Sequence, residues 1–184
     1  MEQEFNLDVT WWPFELHPET PAEGRHVDEL IAPSRRTDEY RSMLKQYAAD
    51  AGLTLASNRW IANSHRALEL AEFARDRGKF DEVHEALFRA YFGEAKNIGD
   101  LDVLTAVAAE CGLDGREFIA ETLAGRYANL VDEATATARQ GGFTSTPTMI
   151  FDDRLMVPGA QDMTVYRDVL RRLGAEPRDT ETAV

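Results

Sequence analysis

Hydrophobic and polar positions change period three times along the chain. The opening stretch Leu7-Asp8-Val9-Thr10-Trp11-Trp12-Pro13-Phe14-Glu15-Leu16 is rich in branched and aromatic residues and predicts a strand. Pro13 removes a ladder donor, so the strand is expected at an edge or ending there. Residues 17–34 are dense in Pro, Gly and polar side chains and predict a loop. A helical period follows. Thr37 is placed to cap a helix with an apolar stripe of Tyr40, Met43, Leu44, Tyr47 and Ala48, closed by Gly52. Asn63 or Ser64 is placed to cap a second, with Ala67, Leu68, Ala71 and Ala74 inward and Gly78 at its end. A third carries Phe80, Val83, Leu87, Phe88 and Tyr91, and a fourth carries Leu101, Leu104, Ala108 and Cys111 before Gly112. Asp114 caps the last helical stretch, which runs to Gly141-Gly142 with a bend expected near Gly125.

Strand character returns in Thr146-Pro147-Thr148-Met149-Ile150-Phe151. Asp152-Asp153 signals a turn and Arg154-Leu155-Met156-Val157 a partner strand, which predicts a hairpin. Residues 161–173 predict a closing helix with Met163, Tyr166, Val169 and Leu170 inward. The polar tail from Ala175 is expected to be disordered. The order is therefore strand, helical block, hairpin, helix, with no internal repeat and no interdomain linker.

Composition narrows the function classes. At 184 residues the chain is one domain in size, with room for an insertion. No apolar run approaches a membrane span, and residues 1–8 are acidic without the basic start and apolar core of a signal peptide. The expected location is the cytoplasm. A net charge of -13 with no basic stripe argues against nucleic acid as a partner. Lysine occurs only at Lys45, Lys79 and Lys96, which fits either adaptation to high salt or a coding bias toward arginine. Cys111 is the one cysteine, so these residues hold no internal disulfide, no paired-cysteine motif and no cysteine-based zinc site.

The segment Gly142-Phe143-Thr144-Ser145-Thr146-Pro147-Thr148-Met149-Ile150-Phe151 resembles the loop of thioredoxin-like proteins that carries a cis-proline before a strand. Val157-Pro158-Gly159-Ala160-Gln161 resembles that family's turn into its closing helix, and Trp12-Pro13-Phe14-Glu15-Leu16-His17-Pro18 its second strand. Asn63-Ser64-His65-Arg66-Ala67 resembles a segment opening a helix of the inserted domain. Together, over residues 6–173, these pieces resemble the FrnE-like branch of the DsbA family, which is related to the 2-hydroxychromene-2-carboxylate isomerases. The resemblance implies a thioredoxin-like α/β fold with an inserted all-helical domain. Residues 1–34 and 141–174 would form the thioredoxin-like part, residues 35–140 the helical insertion and residues 175–184 a free tail.

The resemblance also implies thiol–disulfide exchange on a thiol- or disulfide-containing protein or small molecule, without a metal or organic cofactor. Glutathione is an eligible substrate or co-substrate, and a homodimer is compatible with the reading. The substrate-binding residues it implies are Ser145, Thr146 and Pro147, where the Thr146 N–H and C=O would pair with an extended substrate, together with Asn63 and His65. Family members place a strand and a Cys-x-x-Cys helix before the Trp-Pro-Phe strand. Such a segment takes about 20 to 35 residues, more than precede Trp12. The N-terminal strand and first helix are thus expected to be missing, the chain truncated and without dithiol redox activity, and Val9, Trp11 and Ile150 partly exposed. Cys111, on an inner helix stripe, is expected to be a core thiol.

Two alternatives stay open: a glutathione-dependent isomerase of the hydroxychromene-carboxylate type, and a non-enzymatic remnant that binds extended peptides. No metal site is expected, since His17 and His26 fit no ligand spacing. His84, among Phe80, Leu87 and Phe88, is expected in the core. His65 and Glu69 are expected as a surface pair at i, i+4.

Overall fold

The computed structural model describes residue 1, residues 4–30, residue 32 and residues 37–178. It divides into two compact units, one from the described residues of 1–12 and 136–178, the other from those of 13–135. The expected boundary between residues 34 and 35 lies outside the described residues.

The larger unit is helical. A short pair of strands, β1 (Arg25–His26) and β2 (Trp60–Ile61), ties its opening loop down. Between them lie α1 (Val27–Leu30) and α2 (Asp38–Asp50). After β2 come α3 (His65–Arg75), α4 (Phe80–Phe88), α5 (Leu101–Glu110), α6 (Gly115–Leu123) and α7 (Ala128–Gln140), the last of which continues into the smaller unit. A π-helical turn, Arg89–Gly93, extends α4. Where one bent helix was expected from Asp114 to Gly141, Gly125 at φ +70° stands between two separate helices. That left-handed conformation costs a residue with a Cβ more than it costs glycine, and it stops α6.

α3 is the centre of this unit. Leu70, Phe73 and Ala74 are fully buried with Val83 of α4, Leu104 and Ala108 of α5 and Phe118 of α6. Phe73 meets Phe118 edge-on at 5.6 Å and Tyr127 at 6.2 Å. The Arg77 guanidinium lies 3.5 Å from the Phe73 ring centre and bonds Glu117 at 2.7 Å, so charge is satisfied at the rim of an apolar cluster.

Not every predicted stripe is buried. Thr37 caps α2 by accepting from the Tyr40 N–H, but no residue of α2 is buried, and Met43, Leu44 and Tyr47 face solvent. Residues 13–24, expected with the sheet, are bonded instead into the helical unit. The Glu15 N–H donates to Thr135 Oγ1 at 3.1 Å, Asn63 Nδ2 to the Thr20 carbonyl at 2.6 Å and the Trp60 indole to the Glu23 carbonyl at 2.6 Å. At Gly24, φ is +82° and a Cβ would collide with the Trp60 indole, so only glycine fits the turn.

His84 is half-buried between Phe80, at 5.4 Å between ring centres, and Phe88, at 4.7 Å. Burial pushes its pKa below the usual 6.5, against the pull of Asp81 and Glu85 and with a further push from Arg75. The folded chain therefore binds fewer protons here than the unfolded chain, and this contribution to stability is full above the unfolded imidazole pKa and is lost as pH falls through the folded one. Urea midpoints measured between about pH 7.5 and about pH 5.5 should fall less steeply in His84→Phe than in the parent; parallel slopes would contradict the burial argument.

The smaller unit holds the hairpin. β3 (Thr148–Phe151) and β4 (Leu155–Pro158) pair antiparallel, with Met149 opposite Val157 and Ile150 opposite Met156. Asp152 and Asp153 both take positive φ, +52° and +51°, as a tight hairpin turn that matches strand twist requires. The closing helix α8 (Met163–Arg172) is capped by Asp162 and buries Tyr166 and Leu170. Residues 175–178, expected to be free, are tied down instead. Pro177 bridges Phe5, the Arg178 N–H donates to the Glu4 carbonyl at 2.7 Å, and Arg167 of α8 grips the Glu4 carboxylate through two nitrogens. The rest of the expected tail, residues 179–184, lies outside the described residues.

No strand forms in residues 7–16, contrary to the sequence pattern. The two sheets among the described residues are β1–β2 and β3–β4, and neither includes this segment. Val9, Trp11 and Ile150 are exposed, as expected, and Trp12 is 75 % exposed.

Candidate functional site

Two constellations bear chemistry, one in each unit. The first is the turn from α7 into β3. Gly142, at φ +84°, ends α7, and the Phe143 N–H reaches back to the Ala138 carbonyl at 3.1 Å. The chain then runs through Ser145, Thr146 and Pro147, with a cis Thr146–Pro147 peptide bond. Both flanks of Thr146 are pinned. Thr148 Oγ1 donates to the Ser145 carbonyl at 2.7 Å, and the Gly159 N–H donates to the Pro147 carbonyl at 2.7 Å. Thr146 itself is exposed, and its N–H and C=O make no hydrogen bond among the described residues. That leaves an exposed donor and an exposed acceptor beside β3.

The second constellation surrounds His65 at the start of α3. Asn63 Oδ1 accepts the His65 N–H at 3.0 Å and so performs the capping role left open between Asn63 and Ser64; Ser64 makes no side-chain cap. With its amide on Thr20, Asn63 spends both polar ends on positioning this turn. Gly99 packs against it: a Cβ there would stand 3.0 Å from the Asn63 carbonyl. A small cleft of about 240 Å³ is lined by Ala22, Asn63, His65, Arg66 and Gly99.

His65 Nδ1 lies 3.0 Å from Glu15 Oε2, and Nε2 lies 3.6 Å from Glu69 Oε1. The pair with Glu69 is not a surface pair as expected. Glu69 is only 3 % exposed because α3 is buried on most of its circumference. Burial pushes the Glu69 carboxyl up, opposed by His65 and Arg66 and reinforced by Asp132 and Glu15. Its Oε2 has no hydrogen-bond partner among the described residues. Asp132 of α7 completes the group, and Glu15, His65 and Asp132 each bring a ligand atom within 4.8 Å of the other two. Glu15 and Asp132 went unnoticed in the sequence because no fixed spacing links them to His65.

The site residues named from the sequence thus fall into two sets. Ser145, Thr146 and Pro147 stand together in the smaller unit, and Asn63 and His65 in the larger. His17 bonds Glu19 at 3.3 Å, and His26 pairs with Asp28 at 3.3 Å. Cys111 caps the C-terminal end of α5, partly packed on the core, and its thiol pKa is pushed up by burial and by Glu110 and Glu82. Such a thiol is a poor nucleophile. No helix among the described residues is long and apolar enough to cross a membrane.

Residues 1–171 match the model of the DSBA-like thioredoxin domain. An uncharacterized protein of Bacillus subtilis (strain 168), YwbO, is 29% identical over 170 residues, which cover 90% of this chain and 82% of that one. A probable DsbA oxidoreductase from Streptomyces coelicolor superposes with a TM-score of 0.79 at 23% identity, covering 96% of this chain and 79% of that one. A 2-hydroxychromene-2-carboxylate isomerase superposes with a TM-score of 0.70 at 19% identity, covering 92% of this chain and 82% of that one.

Proposed function

Because the chain belongs to the DSBA-like thioredoxin domain family, with its thioredoxin-like α/β fold, we propose that it recognises thiol- or disulfide-bearing peptides by backbone pairing at Thr146. The observation that carries this reading is the exposed Thr146 peptide group, pinned on both sides and bonded to nothing among the described residues. A substrate cysteine residue in extended conformation gives its N–H to the Thr146 C=O and accepts from the Thr146 N–H. Ser145 and Pro147 keep the loop in place for that exchange. Glutathione, a small peptide with a central cysteinyl unit, has the same recognisable backbone.

Exchange of a disulfide requires an activated thiolate as well as a docking strand. Within these 184 residues the one thiol is Cys111, and its pKa is raised rather than lowered. The proposed function is therefore recognition of thiol compounds, with dithiol turnover absent from the chain acting alone. Asn63 takes a positioning role in this reading, since its amide is already committed to Thr20 and His65.

Amide NMR with reduced glutathione and with a short cysteine-containing peptide tests the reading. The expected result is saturable shifts confined to the amides of Ser145, Thr146 and Thr148. Thr146→Pro removes the N–H offered to the substrate and should weaken binding roughly ten-fold, the worth of one hydrogen bond. Unmoved signals at these amides, or equal affinity in the variant, would overturn it.

A further inference from the structure

Recognition at Thr146 makes no use of the cluster around His65, and that cluster is built in a way that recognition does not require. Its members come from three elements: Glu15 from the opening segment, His65 and Glu69 from successive turns of α3, and Asp132 from α7. The framework is fixed in advance. Glu15 donates its N–H to buried Thr135, which sits three residues from Asp132 on the same face of α7. The Asn63 cap fixes the first turn of α3 and so places His65.

Three carboxylates crowd one imidazole. Glu15 and Glu69 are both buried, and carboxylates held this close to one another are stabilised by a cation bound among them. Glu69 Oε2 is a buried oxygen without a hydrogen bond, and buried polar atoms in folded proteins rarely lack one. The ligand atoms of Glu15, His65 and Asp132 lie within 4.8 Å of one another, and donors at about 2.0–2.2 Å from a cation stand roughly 3–4 Å apart, so a small shift of the exposed Asp132 side chain brings them onto a single ion.

The two ring nitrogens of His65 face different carboxylates. Nδ1 is on the side of Glu15, and Nε2 is on the side of Glu69. An imidazole that ligates a metal through one nitrogen gives the proton on the other to a carboxylate, which fixes the tautomer.

We propose that Glu15, His65 and Asp132 bind a first-row divalent cation of the zinc or manganese class, with Glu69 holding the His65 ring in its ligating tautomer. Nδ1 of His65 and one oxygen each from Glu15 and Asp132 are the ligands, and Nε2, 3.6 Å from Glu69 Oε1, keeps its proton on the side of that carboxylate. One imidazole with carboxylates selects first-row transition ions over calcium, which takes oxygen ligands. Asp132 is exposed and His65 partly so, which leaves a path for the ion and a coordination position for water. No electron moves on binding, and any proton on Nδ1 is released to solvent.

The test is calorimetric titration of the full chain, stripped with chelator, with zinc, manganese and calcium chlorides. Cobalt(II) serves as a spectroscopic probe. One zinc or manganese ion per chain is expected, with a rise in melting temperature that chelator reverses and with visible cobalt bands. Asp132→Asn alters an exposed residue and leaves the fold intact; it should weaken binding at least ten-fold. Glu69→Gln should weaken it roughly 10–100-fold, as loss of a carboxylate partner to a ligating histidine does. His17→Asn with His26→Asn, and separately Cys111→Ser, should bind as the parent does. Absence of saturable binding would overturn the proposal, as would calcium binding as tightly as zinc. So would affinity that survives Asp132→Asn but vanishes with His17 and His26, which would mark adventitious surface binding.

Discussion

Truncating Phe73 to alanine should cost about 3–5 kcal/mol of folding stability, the usual range for a fully buried aromatic. Phe73 has no exposed surface, touches Phe118 and Tyr127 edge-on and carries the Arg77 guanidinium on its ring. Its removal opens a cavity at the point where α3 meets α6, and it strips Arg77 of its aromatic partner while the ion pair with Glu117 remains. The neighbours cannot collapse into the gap, because Leu70, Leu104 and Val83 are already fully packed. Domains have about 5–15 kcal/mol in hand, so the loss is a large share of the total. For a chain of this size the melting temperature should fall by roughly 6–20 °C. Phe73→Leu, which keeps most of the volume, should cost much less. A fall of less than about 1 kcal/mol in Phe73→Ala would mean that α3 is not the centre of the helical core.

The caps and the hairpin could be seen in the sequence because they are local. Thr37, Asp114 and the Asp152-Asp153 turn each act on neighbours a few residues away, and each does what its residue type favours. The turn before β3 was legible through Ser145-Thr146-Pro147, because a proline next to a strand start restricts the backbone locally. What the sequence hid depends on distant partners. The stripe of α2 has a perfectly good helical period, yet periodicity says only that one face is apolar, and nothing among the described residues covers it. In α3 the pattern pointed to Ala67, Leu68, Ala71 and Ala74, while the large fully buried side chains are Leu70 and Phe73, because a helix buried on several sides has no single stripe to detect. Residues 7–16 have strand composition, but they join neither sheet among the described residues. The His65 cluster was invisible for the same reason: Glu15, Glu69 and Asp132 meet only through the tertiary fold.

The exposed apolar surface of the smaller unit leads to the second large effect. β3 pairs with β4 alone among the described residues, so its other edge presents unpaired backbone groups. Ile150 on that strand is 53 % exposed, and Trp11 and Trp12 of the same unit are exposed too. An open strand edge that carries an exposed apolar side chain favours pairing with another chain. The purified protein should therefore self-associate as concentration rises, and sedimentation velocity across a concentration series measures it. Ile150→Lys places a charge on the edge and should hold the protein monomeric, with stability within about 0.5 kcal/mol of the parent, because the residue is exposed. Salt supplies the discriminating axis. A net charge of -13 makes copies repel one another, and added salt shortens the reach of that repulsion to about 10 Å at 0.1 M. If edges and apolar side chains drive association, salt strengthens it; association that weakens with salt would mean ion pairs hold the copies together. A parent chain that stays monomeric at every concentration and salt would show that the β3 edge is not a docking surface for its own kind.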